Sequence, residues 1–200
     1  MAISTAQIKE LRELTGAGIM ECRKALENAD GDLQKALDYL RERAMATAMK
    51  RADRSASEGV VELYSHGNGR VGVMVEVNCE TDFVGRSEAF RTFAHEIALQ
   101  IAASDPVYIK LEDVPEAVIE RERESARNRA RAEDRPEAQL DQIVEGQLEK
   151  FKDEAVLLRQ PYIRDESITI EQLLLQNIAA IGENLVIRRF ARWELGEEIE

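Results

Sequence analysis

The apolar positions of this chain change period along its length. Over residues 4–47 they recur at helical spacing in three short runs. Ile8, Leu11 and Leu14 share one face after a Ser4 or Thr5 cap. Ile19, Cys22 and Leu26 share the next face, and Leu33, Leu37 and Leu40 the third. Thr15-Gly16-Ala17-Gly18 and Asp30-Gly31-Asp32 separate the runs, because glycine frees the backbone for a tight turn. The spacing predicts a three-helix bundle with Ile19, Cys22 and Leu26 in its core. Residues 48–57 turn polar and read as a linker or a frayed extension of the third helix.

The period then drops to two. Val60, Glu62 and Tyr64 alternate with Val61 and Leu63, His66-Gly67-Asn68-Gly69 supplies a turn, and Val71, Val73, Val75 and Val77 line one face. Alternating β-branched residues around a Gly/Asn turn predict a β-hairpin. Phe90, Phe93, Ala94, Ile97 and Ile101 restore helical spacing up to Pro106. Residues 112–135 are dense in charge, which reads as a solvated helix face. A helix over about 136–158 carries Leu140, Ile143, Val144, Leu148 and Phe151, so the two predict an antiparallel hairpin. A last helix carries Leu173, Leu174, Ile178 and Ile181 and stops at Gly182. Strict alternation from Leu185 to Trp193 predicts a third strand joining the hairpin sheet. The fold class is therefore α+β: three helices, then a small antiparallel three-stranded sheet packed with helices. The expected division is a helical module at 1–50 and an α+β core at 55–200, with the charged helical hairpin at about 112–158.

Composition narrows the function. Hydrophobic content of 44% supports a core. The net charge of −12 disfavours direct nucleic-acid binding, which draws its affinity from Lys and Arg. MAISTAQIKE has no basic start or apolar stretch, and no window is apolar enough to span a membrane, so a cytoplasmic protein is expected. Two histidines cannot build a His-rich metal site, and Cys22 and Cys79 lie within apolar patterns rather than Cys-x-x-Cys pairs. Gly67-Asn68-Gly69 lacks the Gly-Lys-Ser/Thr of a phosphate loop. Cys79 with His95 is the one conceivable nucleophile and base, and a buried structural thiol explains Cys79 better. No cofactor is called for.

Two stretches exceed what folding requires. In TGAGIM, Ile19 and Met20 are adjacent and cannot both face one core, so a flexible Met beside a glycine turn suits a contact surface. In ETDFVGR, a large ring stands between an acid and a glycine at a strand-to-helix junction. Spacing alone favours Phe83 tucked beneath that turn.

Four ordered stretches carry a resemblance. IKELRELTGAGIMECRKALENADGDLQKALDYLRE resembles the N-terminal helical module of the elongation factor Ts family, a module similar to ubiquitin-associated domains. NCETDFVGRSEAF resembles that family's Thr-Asp-Phe-Val signature. IVEGQLEKFKDEAVLLRQPYIRDESITIEQLL and IGENLVIRRFARWELGE are similar to its later segments. The resemblance implies a non-enzymatic guanine-nucleotide exchange factor of translation elongation whose partner is elongation factor Tu. It implies that Thr81, Asp82, Phe83 and Val84 enter the partner's nucleotide-binding domain, with Phe83 as a wedge between helices. It assigns Ile19, Met20 and Arg23 to a second contact, Arg23 standing where lysine is common. One sheet-forming copy and an ending soon after WELGEEIE resemble the short members, which pair as homodimers. A sheet-based homodimer carrying two partner molecules is therefore expected. On residues alone, a ubiquitin-associated-like module with another client and a small Cys79 enzyme stay open.

Overall fold

Ser4 opens the first helix through a capping box: its hydroxyl accepts from the Gln7 N–H at 3.2 Å, and the Gln7 side chain accepts from the Ser4 N–H at 3.0 Å. That helix, α1 (Thr5–Thr15), is followed by α2 (Ile19–Asn28) and by α3 (Leu33–Met49), which Asp32 caps. The computed structural model describes residues 3–133 and 135–198. It divides into two compact units, one built on residues 1–98 and 171–200, the other on 99–170.

In the first unit, Leu11, Cys22, Ala25, Leu26, Ala36 and Leu40 form the core of the helical bundle. Each fully buried leucine contributes roughly 1.5–3 kcal/mol. Two expectations fail at its rim. Leu14 is exposed, because Leu11 and Thr15 are the residues of α1 that face inward. Ile19 is 56% exposed, although it stands one turn before Cys22. A helical side chain leans toward the N-terminus of its helix, so one at the first position projects off the end of the bundle. The polar stretch after residue 47 begins as helix, since α3 runs to Met49.

Strands β1 (Glu58–His66) and β2 (Val71–Cys79) form the expected hairpin, with Gly67, Asn68 and Gly69 all at positive φ in the turn. Strand β5 (Val186–Glu194) pairs antiparallel with β2, giving the order β1-β2-β5. Its alternation is broken once. Glu76 pairs with Arg189 and Val77 with Ile187, so Arg188 is an extra residue. That bulge turns Phe190 and Arg192 onto the same face as Ile187, opposite Val75 and Val73. Strict alternation predicts Phe190 and Arg192 on the face opposite Ile187. The inner valines of β2 are buried, as are Phe90, Phe93, Ala94 and Ile97 of helix α5 (Glu88–Ser104). The outer face carries Val61, Leu63, Met74 and Trp193, all exposed. Gly72 pairs with Trp193 and leaves the indole beside an open floor. Helix α8 (Ile170–Ile181) leads through Gly182 into β5.

In the second unit, α6 (Glu116–Ala132) and α7 (Leu140–Ala155) form the expected hairpin. The pairs Arg123–Glu145, Arg127–Asp141 and Arg131–Glu137 run in opposite chain directions, which makes the helices antiparallel. Ala126, Ala130, Val144 and Leu148 are buried. The buried Gln100 amide donates to Gln160 Oε1 (3.2 Å) and the Pro161 carbonyl (3.1 Å), and its oxygen accepts from the Ile163 N–H. A two-stranded pair, β3 (Pro161–Tyr162) and β4 (Asp165–Thr169), follows. The sequence pattern gave no sign of it, because its first strand is two residues long.

Candidate functional site

The ETDFVGR stretch folds as one fixed turn. After β2 the chain is extended at Thr81 (φ −127°, ψ 152°), which caps the single helical turn α4 (Asp82–Gly85). Thr81 Oγ1 accepts from the Val84 N–H at 3.3 Å and donates to Glu183 Oε1 at 2.7 Å. The other Glu183 oxygen accepts from the Glu80 N–H at 3.0 Å and the Thr81 N–H at 3.1 Å. The Thr81 carbonyl accepts from Cys79 Sγ and from the Gly85 N–H, each at 3.1 Å. Arg91 Nε donates to the Gly85 carbonyl at 3.0 Å. Gly85 is buried, and a Cβ there would stand 3.4 Å from the Gly59 carbonyl oxygen and 3.5 Å from Cys79 Sγ. Glycine at this position lets the turn lie flat on the strand ends.

On that base the side chains diverge. Val84 is half-buried. Asp82 pairs with Arg86 at 2.8 Å in solvent. Phe83 is 82% exposed. The reading from spacing, with Phe83 tucked beneath the turn, is therefore overturned. The hydrogen bonds of Thr81 and Gly85 fix the backbone so that the ring points outward. Burying a phenylalanine is worth roughly 1.5–3 kcal/mol, a gain this turn does not take within its own chain.

The second stretch is also a turn. Gly16 takes the left-handed conformation (φ 66°) and closes α1 by donating to the Arg12 carbonyl at 2.8 Å. Gly18 caps α2 without a side-chain hydrogen bond. Ile19 and Met20, the latter 62% exposed, stand at the start of α2, and Arg23 pairs with Glu27 at 2.8 Å on its surface. Thr81 to Val84 are thus gathered on α4, and Ile19, Met20 and Arg23 on α2.

Cys79 and His95 do not form a pair. The Cys79 thiol donates to the Thr81 carbonyl, and burial, with the Glu183 charge adding to it, pushes its pKa up. His95 Nδ1 lies 2.9 Å from Glu62 Oε1, with its ring edge-on to Tyr64. Among the described residues no group of three or more His, Cys, Asp or Glu side chains could hold a metal ion. None of the described helices is long and apolar enough to cross a membrane.

This sequence matches the family model for elongation factor Ts over residues 2–197. The chain belongs to the elongation factor Ts family. Its relatives of that name include one from Caldanaerobacter subterraneus subsp. tengcongensis, 57% identical over 99% of both chains. The elongation factor Ts of Carboxydothermus hydrogenoformans is 54% identical over 98% of this chain and 90% of its own length. That of Coprothermobacter proteolyticus is 54% identical over 98% of this chain and all of its own length. Membership in the elongation factor Ts family makes this a translation elongation factor.

Three residues at the site escaped the sequence reading: Glu80, Glu183 and Asn184. Glu80 Oε1 accepts from the Asn184 N–H at 2.7 Å, and the Asn184 side chain donates to the Ala52 and Arg54 carbonyls at 3.4 and 2.9 Å. The one local signal for Glu183 and Asn184 is a polar Glu-Asn pair between a helix-ending glycine and a strand. The partners of Glu183 and Asn184 lie more than a hundred residues away in sequence.

Proposed function

We propose that this chain is a guanine-nucleotide exchange factor that binds GDP-loaded elongation factor Tu and releases its nucleotide with no chemical step of its own. The observation that carries the reading is the exposed Phe83 ring on a hydrogen-bonded turn. An apolar wedge on a fixed base can enter between two helices of a partner. Packed cores respond to such entry by shifting whole elements rather than compressing. A shift at the Mg²⁺ and phosphate site weakens GDP, and by linkage GDP weakens the exchange factor's hold to the same extent. A thousandfold faster release requires about 4 kcal/mol of barrier lowering, a scale that a few buried contacts reach.

In this reading Thr81 and Val84 shape the turn, Phe83 enters the partner and Asp82 leaves Arg86 to meet a neighbouring helix. Ile19, Met20 and Arg23 make the second contact from a ubiquitin-associated-like module at residues 1–50, and residues 55–200 form the core. The protein works in the cytoplasm, without cofactor, nucleic acid or membrane. Two copies stack through the outer sheet faces, where Leu63, Met74 and the 67%-exposed Trp193 would be covered. The result is a dimer carrying two partner molecules.

The deciding experiment follows release of a fluorescent GDP analogue from elongation factor Tu under excess GDP. Catalytic amounts of this protein should accelerate release with turnover, and Phe83→Ala should remove about a hundredfold of that acceleration. No acceleration by the folded protein would end the exchange reading. Separately, Trp193→Glu should convert the dimer to monomer in sedimentation analysis, and an unchanged dimer would remove the outer sheet face from the interface.

A further inference from the structure

We propose that Glu183 and Asn184, adjacent between α8 and β5, are positioning residues for both partner-facing turns: Glu183 braces the Phe83 turn, and Asn184 fixes the linker that leads to the helical module. The inference rests on the exchange reading above and extends it to two residues that stand on neither turn.

Glu183 meets the Phe83 turn at its base. One carboxylate takes three donors, the N–H groups of Glu80 and Thr81 and the Thr81 hydroxyl, at 3.0, 3.1 and 2.7 Å. These two N–H groups lie just beyond the end of β2 and would otherwise need water. A carboxylate acceptor makes shorter bonds, roughly twice as strong as those of a neutral one. Thr81 is the residue that caps α4, so the hold on it passes to Phe83 two positions on. A wedge transmits force only if its base resists being pushed back, and this carboxylate supplies that resistance from a segment a hundred residues away.

Asn184 acts on the linker. Its buried side chain donates to the carbonyls of Ala52 and Arg54, while its own N–H is held by Glu80. Arg54 reaches back to the Glu80 carboxylate at 3.5 Å. Arg51 donates to the Ile178 carbonyl at 2.8 Å, near the end of α8. Residues 51–54 lie within the 50–57 segment that joins α3 to β1, the route from the Met20 turn to the Phe83 turn. The 178–184 segment therefore holds the linker and the wedge together. With the linker fixed, the second contact forms at a high effective concentration once the first has formed. The two residues should consequently fail in different ways when altered. Loss of Glu183 lowers the rate of the bound complex, and loss of Asn184 weakens its formation.

The test uses the full chain and fluorescent GDP release from elongation factor Tu, with thermal melts alongside. Glu183→Ala, Glu183→Gln and Asn184→Ala are each measured with Phe83 present and in a Phe83→Ala background. Glu183→Ala should lower the maximal rate about tenfold, because small misplacements of a positioned group cost this much or more. Glu183→Gln, of the same shape and still an acceptor, should recover most of it. In the Phe83→Ala background the Glu183→Ala loss should shrink below about twofold, since a residue acting through the wedge has nothing left to act on. Asn184→Ala should raise the half-saturating concentration about tenfold with a smaller change in maximal rate. An equal Glu183→Ala loss in both backgrounds would overturn the proposal, as would normal kinetics for Glu183→Ala while Phe83→Ala is impaired. If Glu183→Ala does not fold, Thr81→Val, which removes the hydroxyl that donates to Glu183, carries the same comparison. If Phe83→Ala itself exchanges normally, it is the exchange reading that fails. Fluorine NMR of a fluorophenylalanine placed at Phe83 then decides the brace alone: Glu183→Ala must sharpen its line, and an unchanged line overturns the brace.

Discussion

The two exposed apolar turns of this protein are built in opposite ways. Phe83 stands on a base held by Glu183, Cys79 and Arg91, with a buried glycine beneath it. Ile19 and Met20 stand at a helix start whose cap is a glycine with no side-chain hydrogen bond. The first presents one rigid ring, and the second presents Ile19 beside the unbranched Met20, whose side chain adapts to what it meets. A wedge must keep its shape while a partner's helices move around it. A docking surface must follow a partner whose shape changes during the reaction. Under the proposed exchange mechanism, the contrast in construction assigns the rate to the Phe83 turn and affinity to the Met20 turn.

Two phenylalanines seven residues apart break or sharpen this contrast most directly. Phe90 is fully buried at the start of α5, and Phe83 is almost fully exposed. Phe90→Ala should cost about 3–5 kcal/mol of stability through the cavity it leaves. Phe83→Ala should cost less than about 0.5 kcal/mol, as surface substitutions do, while losing the exchange rate. Thermal melts of both variants, read beside their exchange kinetics, check the pair. A Phe83→Ala protein that melts as early as Phe90→Ala would mean that the ring belongs to the core, and the wedge would be lost from the mechanism.

Periodicity distinguished these two rings only in part. It placed Phe90 correctly, because Phe93, Ala94 and Ile97 share its face and a helical stripe of that width is a core signal. It misplaced Phe83, since a four-residue turn has no period to read. It also misplaced Ile19, because helical spacing does not record where a bundle ends. The strand from Val186 to Glu194 was legible, but the bulge at Arg188 was not, so Phe190 and Arg192 changed faces unannounced. Recognition of the Thr-Asp-Phe-Val stretch came from likeness to a family, whereas the Glu183 brace came only from the fold. Hydrogen bonds between residues 80–81 and 183–184 depend on the register that brings β5 back beside β2, and no local pattern encodes that register.

The smallest effect is expected at Met20, and its sign pattern separates docking from folding. Met20 is exposed on the first turn of α2, so Met20→Asp removes little packing from the bundle. A carboxylate near a helix N-terminus is favoured by the helix dipole, by about 0.3–1 kcal/mol, so the melting temperature should hold or rise slightly. In a complex the same carboxylate would be desolvated against an apolar surface, which costs more than it returns. Affinity for elongation factor Tu should therefore fall about tenfold, or about 1.4 kcal/mol, with the maximal exchange rate at saturation unchanged. Titration calorimetry with the nucleotide-free partner reads the first quantity, and GDP release at saturating protein reads the second. A fall in maximal rate with affinity intact would give the α2 turn a share in driving release and end the division of labour. Unchanged affinity would take the turn out of the interface, leaving the Phe83 turn to account for docking as well as release.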